Sequence, residues 1–179
     1  MSKRIRLWLI AALALCAAAA VGVTLSFMFK KAEKTNTFVP AAVTCKVEES
    51  LLSGVKSNVC VKNTGNAAAY LRIRLVSYYV YDNGNIAGRV SSQYPALTLR
   101  NGWIAGADHT YYYPTPVEPG AKTGILCDPI TLGTVELADG TTVYQVLEVF
   151  AEAIQAEPVR AVQEAWKVTV SDTKITAVP

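Results

Sequence analysis

The sequence predicts an all-β protein: an antiparallel β-sandwich of jelly-roll or Ig-like type with one short C-terminal helix, preceded by an N-terminal hydrophobic helix. Asn-Gly and Asp-Gly turn signals separate short runs rich in β-branched and aromatic residues, a pattern typical of β-hairpins. These signals are NTGN at 63–66, DNGN at 82–85 and ADGT at 138–141. The chain has 179 residues, which is enough for one domain and a targeting segment.

Residues 1–34 are set apart as a signal peptide or a signal anchor with basic flanks. Residues 7–29 carry no charge, and a helix of that length can cross the ~30 Å hydrocarbon layer of a membrane. A cleaved signal would release an exported domain, whereas an uncut anchor would hold the domain outside the cytoplasmic membrane. Both alternatives remain open, and both predict a domain at the cell surface or outside the cell.

The basic excess of the chain lies in this N-terminal segment. The formal net charge is +3, made up of +5 in residues 1–34 and −2 in residues 35–179. A domain that binds nucleic acid concentrates positive charge on its folded part. We therefore expect no nucleic-acid partner.

The expected domain spans residues 41–170, after a spacer at 35–40 and before a tail at 171–179. Its first strands are expected between the turn signals, at residues 41–49, 55–62, 68–81 and 86–90. In the third strand Leu71, Ile73 and Leu75 alternate with Arg72 and Arg74. Successive side chains of a strand point to opposite faces, so the apolar set is expected in the core and the arginines in solvent.

The second half of the domain has fewer regular patterns. Residues 91–109 read as a long loop, Tyr111–Tyr113 begins another strand, and short strands follow. Residues 141–156 form the strongest strand signal, but the apolar residues do not alternate simply, which predicts a bulge or a bend.

A short helix is expected after Pro158, which suits the first helical position. Val159, Val162 and Trp166 follow at i, i+3 and i+7, the spacing of one helix face. Residues 167–170 then form the final strand of the predicted domain.

Three cysteines lie outside the N-terminal segment: Cys45, Cys60 and Cys127. Cys45 and Cys60 are candidates for a disulfide because they fall on neighbouring strands. Side-chain alternation argues against this bond, since it points Cys60 outward and Cys45 inward. A disulfide and three free thiols both remain open, and the absence of a CxxC pair argues against a structural zinc site.

No catalytic residue, metal ligand or cofactor site is expected. The chain has one histidine, His109, so neither an HExxH zinc motif nor a Ser/His/Asp triad is expected. We expect a protein that is not an enzyme.

A candidate binding surface rests on arginines and aromatic side chains, because exposed aromatics on a sheet are good binding platforms. Its candidate residues are Arg72, Arg74, Tyr79, Trp103, Tyr111 and Tyr113.

Four segments resemble a known family and together cover most of residues 36–170. They are NTFVPAAVTCKVEE, VKSNVCVKNTGNAAAYLRIRLVSYYV, NGWIAGADHTYYYPTPVEPG and LEVFAEAIQAEPVRAVQEAW. In these segments the chain resembles the SipW-dependent, TasA/camelysin-like exported proteins of Gram-positive bacteria. The resemblance implies export, processing by a SipW-type signal peptidase and a jelly-roll-like sandwich. In the best-known relatives it implies assembly into biofilm-matrix fibres.

Two functions follow as hypotheses. The first is a structural protein of the cell surface or extracellular matrix that self-associates through sheet edges, with the spacer 30–40 or the tail 171–179 as a donated strand. The alternative is a membrane-tethered binding module or adhesin, held through residues 7–29 if the segment is uncut.

Overall fold

The computed structural model describes residues 40–179. Within them the chain is mostly β, with antiparallel sheets and one short helix, so the predicted all-β class is confirmed. The predicted N-terminal helix, its cleavage and residues 35–39 of the spacer lie outside the described residues. Residues Ala41–Pro179 form one compact unit.

The strands fall into three antiparallel sheets. One sheet has the order β1-β2-β6, a larger one has the order β4-β5-β3-β8-β7, and β9 pairs with β10. The strands are β1 Cys45–Leu52, β2 Val55–Asn63, β3 Ala69–Val80, β4 Ile104–Ala105, β5 Thr110–Tyr112, β6 Ile130–Thr131, β7 Thr134–Glu136, β8 Thr142–Gln155, β9 Thr169–Ser171 and β10 Lys174–Ala177; the helix is α1, Val159–Trp166.

The β3–β8 ladder is the longest pairing in the described part of the chain. It runs without a register shift from Ala69 opposite Gln155 to Val80 opposite Tyr144. Of the bulge and the bend predicted as alternatives for residues 141–156, the bulge is therefore wrong. Inner and outer residues alternate regularly along β8. Some inner residues are small or polar, such as Ala151 and Gln145, so the alternation does not show as a pattern of apolar residues in the sequence.

One hydrophobic cluster joins the two larger sheets. Val59 and Val61 of β2 lie in it together with Leu71 and Ile73 of β3. The alternation predicted for β3 is confirmed, because its apolar side chains are fully buried.

The first strand begins later than expected. Residues 41–44 bind the NTGN turn instead: the Thr64 and Gly65 N–H groups donate to the Thr44 carbonyl, and the Asn66 N–H donates to the Ala42 carbonyl. A Cβ at Gly65 would collide with the Ala42 oxygen, so glycine is required at this close approach.

Two other expected boundaries change. The expected strand at 86–90 is reduced to a single bridge between Val80 and Ile86, and the expected loop 91–109 contains the short strand β4. The strand expected from Tyr111 is present as β5, which begins at Thr110.

The predicted tail 171–179 is wrong, because these residues continue into the β9–β10 hairpin. Ile175 is 2% exposed, and its N–H donates to the Pro114 carbonyl. The Tyr70 hydroxyl donates to the Thr173 carbonyl at 2.9 Å. Tyr70 lies on the face of β3 opposite the core, and the hairpin buries this large side chain.

The predicted helix is confirmed as α1, with Val162 and Trp166 buried. Pro158 immediately precedes the helix, where a first helical position was predicted.

Candidate functional site

The outer edge of β8 is open over most of its length. β7 pairs only with Thr142–Tyr144, and no strand in residues 40–179 pairs with 146–155 on that side. The Gln145 N–H points to this edge, since it donates to the Gly133 carbonyl at 2.9 Å. Backbone groups alternate along a strand, so those of Leu147, Val149, Ala151 and Ala153 point the same way.

This edge lacks several of the features that normally prevent edge-to-edge pairing. Natural edge strands are short, bulged, or carry lysine or proline. β8 contains neither lysine nor proline, and its ladder with β3 has no bulge. Ten residues of strand at ~3.4 Å per residue give about 34 Å of backbone able to pair.

A groove lies between this edge and the end of β1. It has a volume of about 460 Å³. Its lining is mostly apolar, and two of its side chains are unusually exposed for their type, Leu51 at 61% and Phe150 at 50%. The lining residues are Glu49, Leu51, Lys56, Leu132, Gln145, Val146, Leu147, Glu148, Val149 and Phe150.

A buried charge lies in the wall of the groove. The Lys56 side chain is only 6% exposed, and its Nζ lies 2.6 Å from Glu49 Oε1. The β1–β2 register shifts between Glu48 and Ser50, where Asn58 and Val59 of β2 lie opposite Glu49 of β1. Lys56 lies opposite Leu51 in this ladder, and its ammonium donates to the carboxylate of Glu49, two residues away on β1.

The neighbouring residue Glu48 forms a second ion pair with Lys122, at 2.5 Å between Oε2 and Nζ. The hydrogen bond from Lys122 lowers the pKa of the Glu48 carboxyl and raises the pKa of the Lys122 ammonium. One ion pair joins β1 to β2, and the other joins β1 to the segment that carries Lys122.

The predicted binding surface is wrong for Trp103 and Tyr79, which are buried. Trp103 is 5% exposed and Tyr79 is 4% exposed. Tyr111 and Tyr113 are half-buried against the main core. The Trp103 indole N–H donates to the Gly124 carbonyl at 3.0 Å.

Arg72 also has a structural role and does not form part of an open binding surface. Its guanidinium lies 4.7 Å from the Trp166 ring centroid and 5.8 Å from that of Tyr112. It forms an ion pair with Glu152 at 2.6 Å. These contacts hold α1 on the sheet, and Arg74 is the only member of the predicted surface that is exposed.

The candidate disulfide between Cys45 and Cys60 is not formed. Cys45, Cys60 and Cys127 are free, because the register places Cys45 opposite Asn63 and Cys60 opposite Glu48. Burial raises the pKa of each thiol, which keeps the thiols protonated near neutral pH.

Sequence reasoning missed the exposed outer side of β8. Tyr144 is 44% exposed, and Phe150, also missed, is on the same face. Strict alternation through residues 142–155 would have assigned both to the side away from the core. Nothing in the sequence of β8 indicates that its edge is open, because strand partners are set by the whole fold.

His109 is exposed and stacks on Tyr94, with ring centroids 3.4 Å apart. Within residues 40–179, no three His, Cys, Asp or Glu side chains are grouped so that they could hold a metal ion. No helix in that range is long and apolar enough to cross a membrane.

Comparison with protein-family models, with curated proteins and with solved structures found no match to the chain.

Proposed function

We propose that this protein is an exported structural protein of the cell surface or extracellular matrix, which assembles into fibres by strand addition at the edge of β8. The observation that carries the proposal is the open edge at 146–155, which has no lysine, proline or bulge. Such an edge offers a row of N–H and C=O groups to another chain.

In the proposed fold, the β1-β2-β6 and β4-β5-β3-β8-β7 sheets are the two layers of a jelly-roll or Ig-like sandwich. Their shared core supports this arrangement. Residues 1–34 act as the export signal, which a SipW-type peptidase removes before assembly. The resemblance to TasA/camelysin-like proteins supports export and processing.

The donated strand comes from the N-terminal spacer 30–40 of a second copy. The other predicted donor, 171–179, is already paired with β9 through Lys174–Ala177, and its Ile175 is buried. Lys30, Lys31 and Lys34 complement the carboxylate of Glu148 at the groove, which forms no ion pair within residues 40–179. The residues that follow are rich in Thr, Phe and Val, which favour strands.

Full insertion between β1 and β8 requires β1 to move. Cα atoms of β1 and β8 approach within 8 Å, whereas a strand inserted between two others needs about 4.8 Å on each side. β1 is suited to such a movement, because its C-terminal half, from Glu49 to Leu52, is exposed.

The alternative is a membrane-tethered binding module without enzymatic activity. Its predicted surface has less support, because Trp103 and Tyr79 are buried. An uncut residue 1–34 segment would favour this alternative, since a tethered spacer is less free to be donated.

Replacing Ala151 with proline tests the proposal. The Ala151 N–H points to the open edge, so Ala151→Pro removes no β3–β8 hydrogen bond but blocks strand addition. We expect the wild-type protein, prepared from the producing cells, to form fibres as concentration rises, and the variant to form at least tenfold fewer. Electron microscopy and sedimentation measure both.

Glu136→Pro is the matched control. Gly133 and Leu137, at odd-numbered positions, form backbone hydrogen bonds to Gln145 and Thr141. Backbone groups alternate along a strand, so the Glu136 N–H points away from β8, but in a strand of only three residues. We expect this variant to assemble like the wild type. A wild-type protein that stays monomeric at every concentration, or an Ala151→Pro variant that forms normal fibres while remaining folded, would contradict the proposal.

A further inference from the structure

The outer face of the five-stranded sheet is covered over only half its length. At one end, α1 and the β9–β10 hairpin bury Tyr70 and Tyr112, and Trp166 and Ile175 contribute to this second cluster. The ion pair between Arg72 and Glu152 borders the covered half. Beyond it, no part of residues 40–179 forms a further cluster on this face.

The uncovered half is named here the open face. Its side chains are apolar or aromatic except for one arginine and one glutamate, an unusual composition for a sheet surface in contact with water. Phe150 is 50% exposed and Tyr144 is 44% exposed. The open face consists of Arg74, Val76, Tyr78 and Val80 from β3, and Tyr144, Val146, Glu148 and Phe150 from β8.

The two charges of the open face are of opposite sign and are not paired with each other. Neither Arg74 nor Glu148 forms an ion pair with any of residues 40–179. The Tyr78 hydroxyl donates to Glu148 Oε1 at 2.8 Å and holds this carboxylate on the face. Arg74 is opposite Phe150 and Val76 is opposite Glu148, so the two charges are diagonal neighbours, about 7–8 Å apart.

We infer that the open face binds the same face of a second copy of this chain. A two-fold axis between the two charges brings Arg74 of each copy opposite Glu148 of the other, so both ion pairs form at once. The same operation places the rings and valines of the two faces against each other. A patch with this charge arrangement is complementary to itself.

The expected pairing is weak. The open face has only eight residues, whereas a standard stable interface has about 20–30 residues a side. Copies displayed many times along a fibre would associate more strongly through multivalency. The contact uses side chains on a sheet face and does not depend on strand addition at the β8 edge.

Charge-reversal variants of the full chain in detergent provide the test, with association measured by analytical ultracentrifugation. Arg74→Glu places two carboxylates opposite each other in each pair, and Glu148→Arg places two guanidiniums. We expect each single variant to associate at least tenfold more weakly than the wild type. An equimolar mixture of the two variants restores opposite charges at both contacts, so it forms a heterodimer at wild-type strength.

All measurements are made on the Ala151→Pro background, which separates pairing through the face from assembly through the edge. Association of that background protein, its loss in each single variant and its recovery in the mixture would support the inference. A background protein that remains monomeric up to about 1 mM, single variants that associate normally, or a mixture without recovery would overturn it. The fibre test of the β8 edge has its own outcome, so either proposal can fail without the other.

Discussion

β1 and β8 both leave one edge open in the described part of the chain, but only β1 carries a lysine and an irregular ladder. β1 has an exposed lysine, Lys46, and an irregular ladder at Glu49. β8 is a strand of fourteen residues with a continuous ladder to β3 and no lysine or proline. Edge strands that remain free of partners usually carry such protection. The difference indicates that the edge of β8, and not that of β1, is the one available for pairing.

The two strands also differ in how firmly they are held. β8 pairs with β3 along nearly its whole length, and Leu147 lies in the main core. β1 pairs with β2 alone, and its C-terminal half, from Glu49 to Leu52, is exposed. A rigid acceptor edge beside a more loosely held strand is suited to strand exchange.

The largest expected effect on β1 comes from the buried ion pair. Glu49→Gln leaves the Lys56 ammonium in the groove wall without its counter-charge. We expect a loss of about 2 kcal/mol in the free energy of unfolding, less than for fully buried pairs because Glu49 is partly exposed. Denaturant unfolding measures this loss.

Two variants control for other causes of that loss. Glu48→Gln removes the more exposed ion pair with Lys122, and we expect a clearly smaller destabilisation. Lys56→Met combined with Glu49→Gln removes both charges, and we expect recovery of most of the stability. Equal losses in the Glu48 and Glu49 variants would show that burial of Lys56 does not matter for β1.

A smaller effect is expected when β8 is given a lysine, the residue that protects the edge of β1. Val146→Lys adds an outward lysine near the open edge, and we expect fibre elongation to slow about tenfold, as for natural edge protection. Val76→Lys is the matched control, because Val76 is on the same face but on the interior strand β3. Elongation that slows equally in both variants would point to a general effect of the charge.

The smallest effect concerns pH. The hydrogen bond from Lys122 lowers the pKa of Glu48, so this pair stabilises the fold above the usual glutamate range of ~4.3. The contribution is lost as pH falls through the lowered pKa. We expect Tm to fall less between pH 6 and pH 3 in Glu48→Gln than in the wild type. Identical falls would show that the pair does not contribute.

Sequence patterns predicted the parts of the fold in which polarity marks each face. β3 was clear because arginines alternate with Leu and Ile, and α1 was clear because Val162 and Trp166 share one helix face. β8 was located, but its regular alternation was missed because Ala151, Ala153 and Gln145 occupy inner positions. The β9–β10 hairpin was missed because Ile175 is isolated among polar residues.

The candidate site was less predictable than the fold. Tyr79 and Trp103 were placed on a surface, although burial of an aromatic ring depends on which loop covers it. The open edge of β8 depends on β7 ending its pairing at Tyr144, and local residue types do not encode that. Pairing partners distant in sequence decide both features.

Hydrogen exchange of the β8 amides, measured residue by residue by NMR, tests the central claim most directly. Before assembly, we expect the amides of Leu147, Val149, Ala151 and Ala153 to exchange faster than those of the alternating residues that bond to β3. Assembly should then protect this outward set. Equal protection of both sets before assembly, or an outward set that remains unprotected in fibres, would contradict the account.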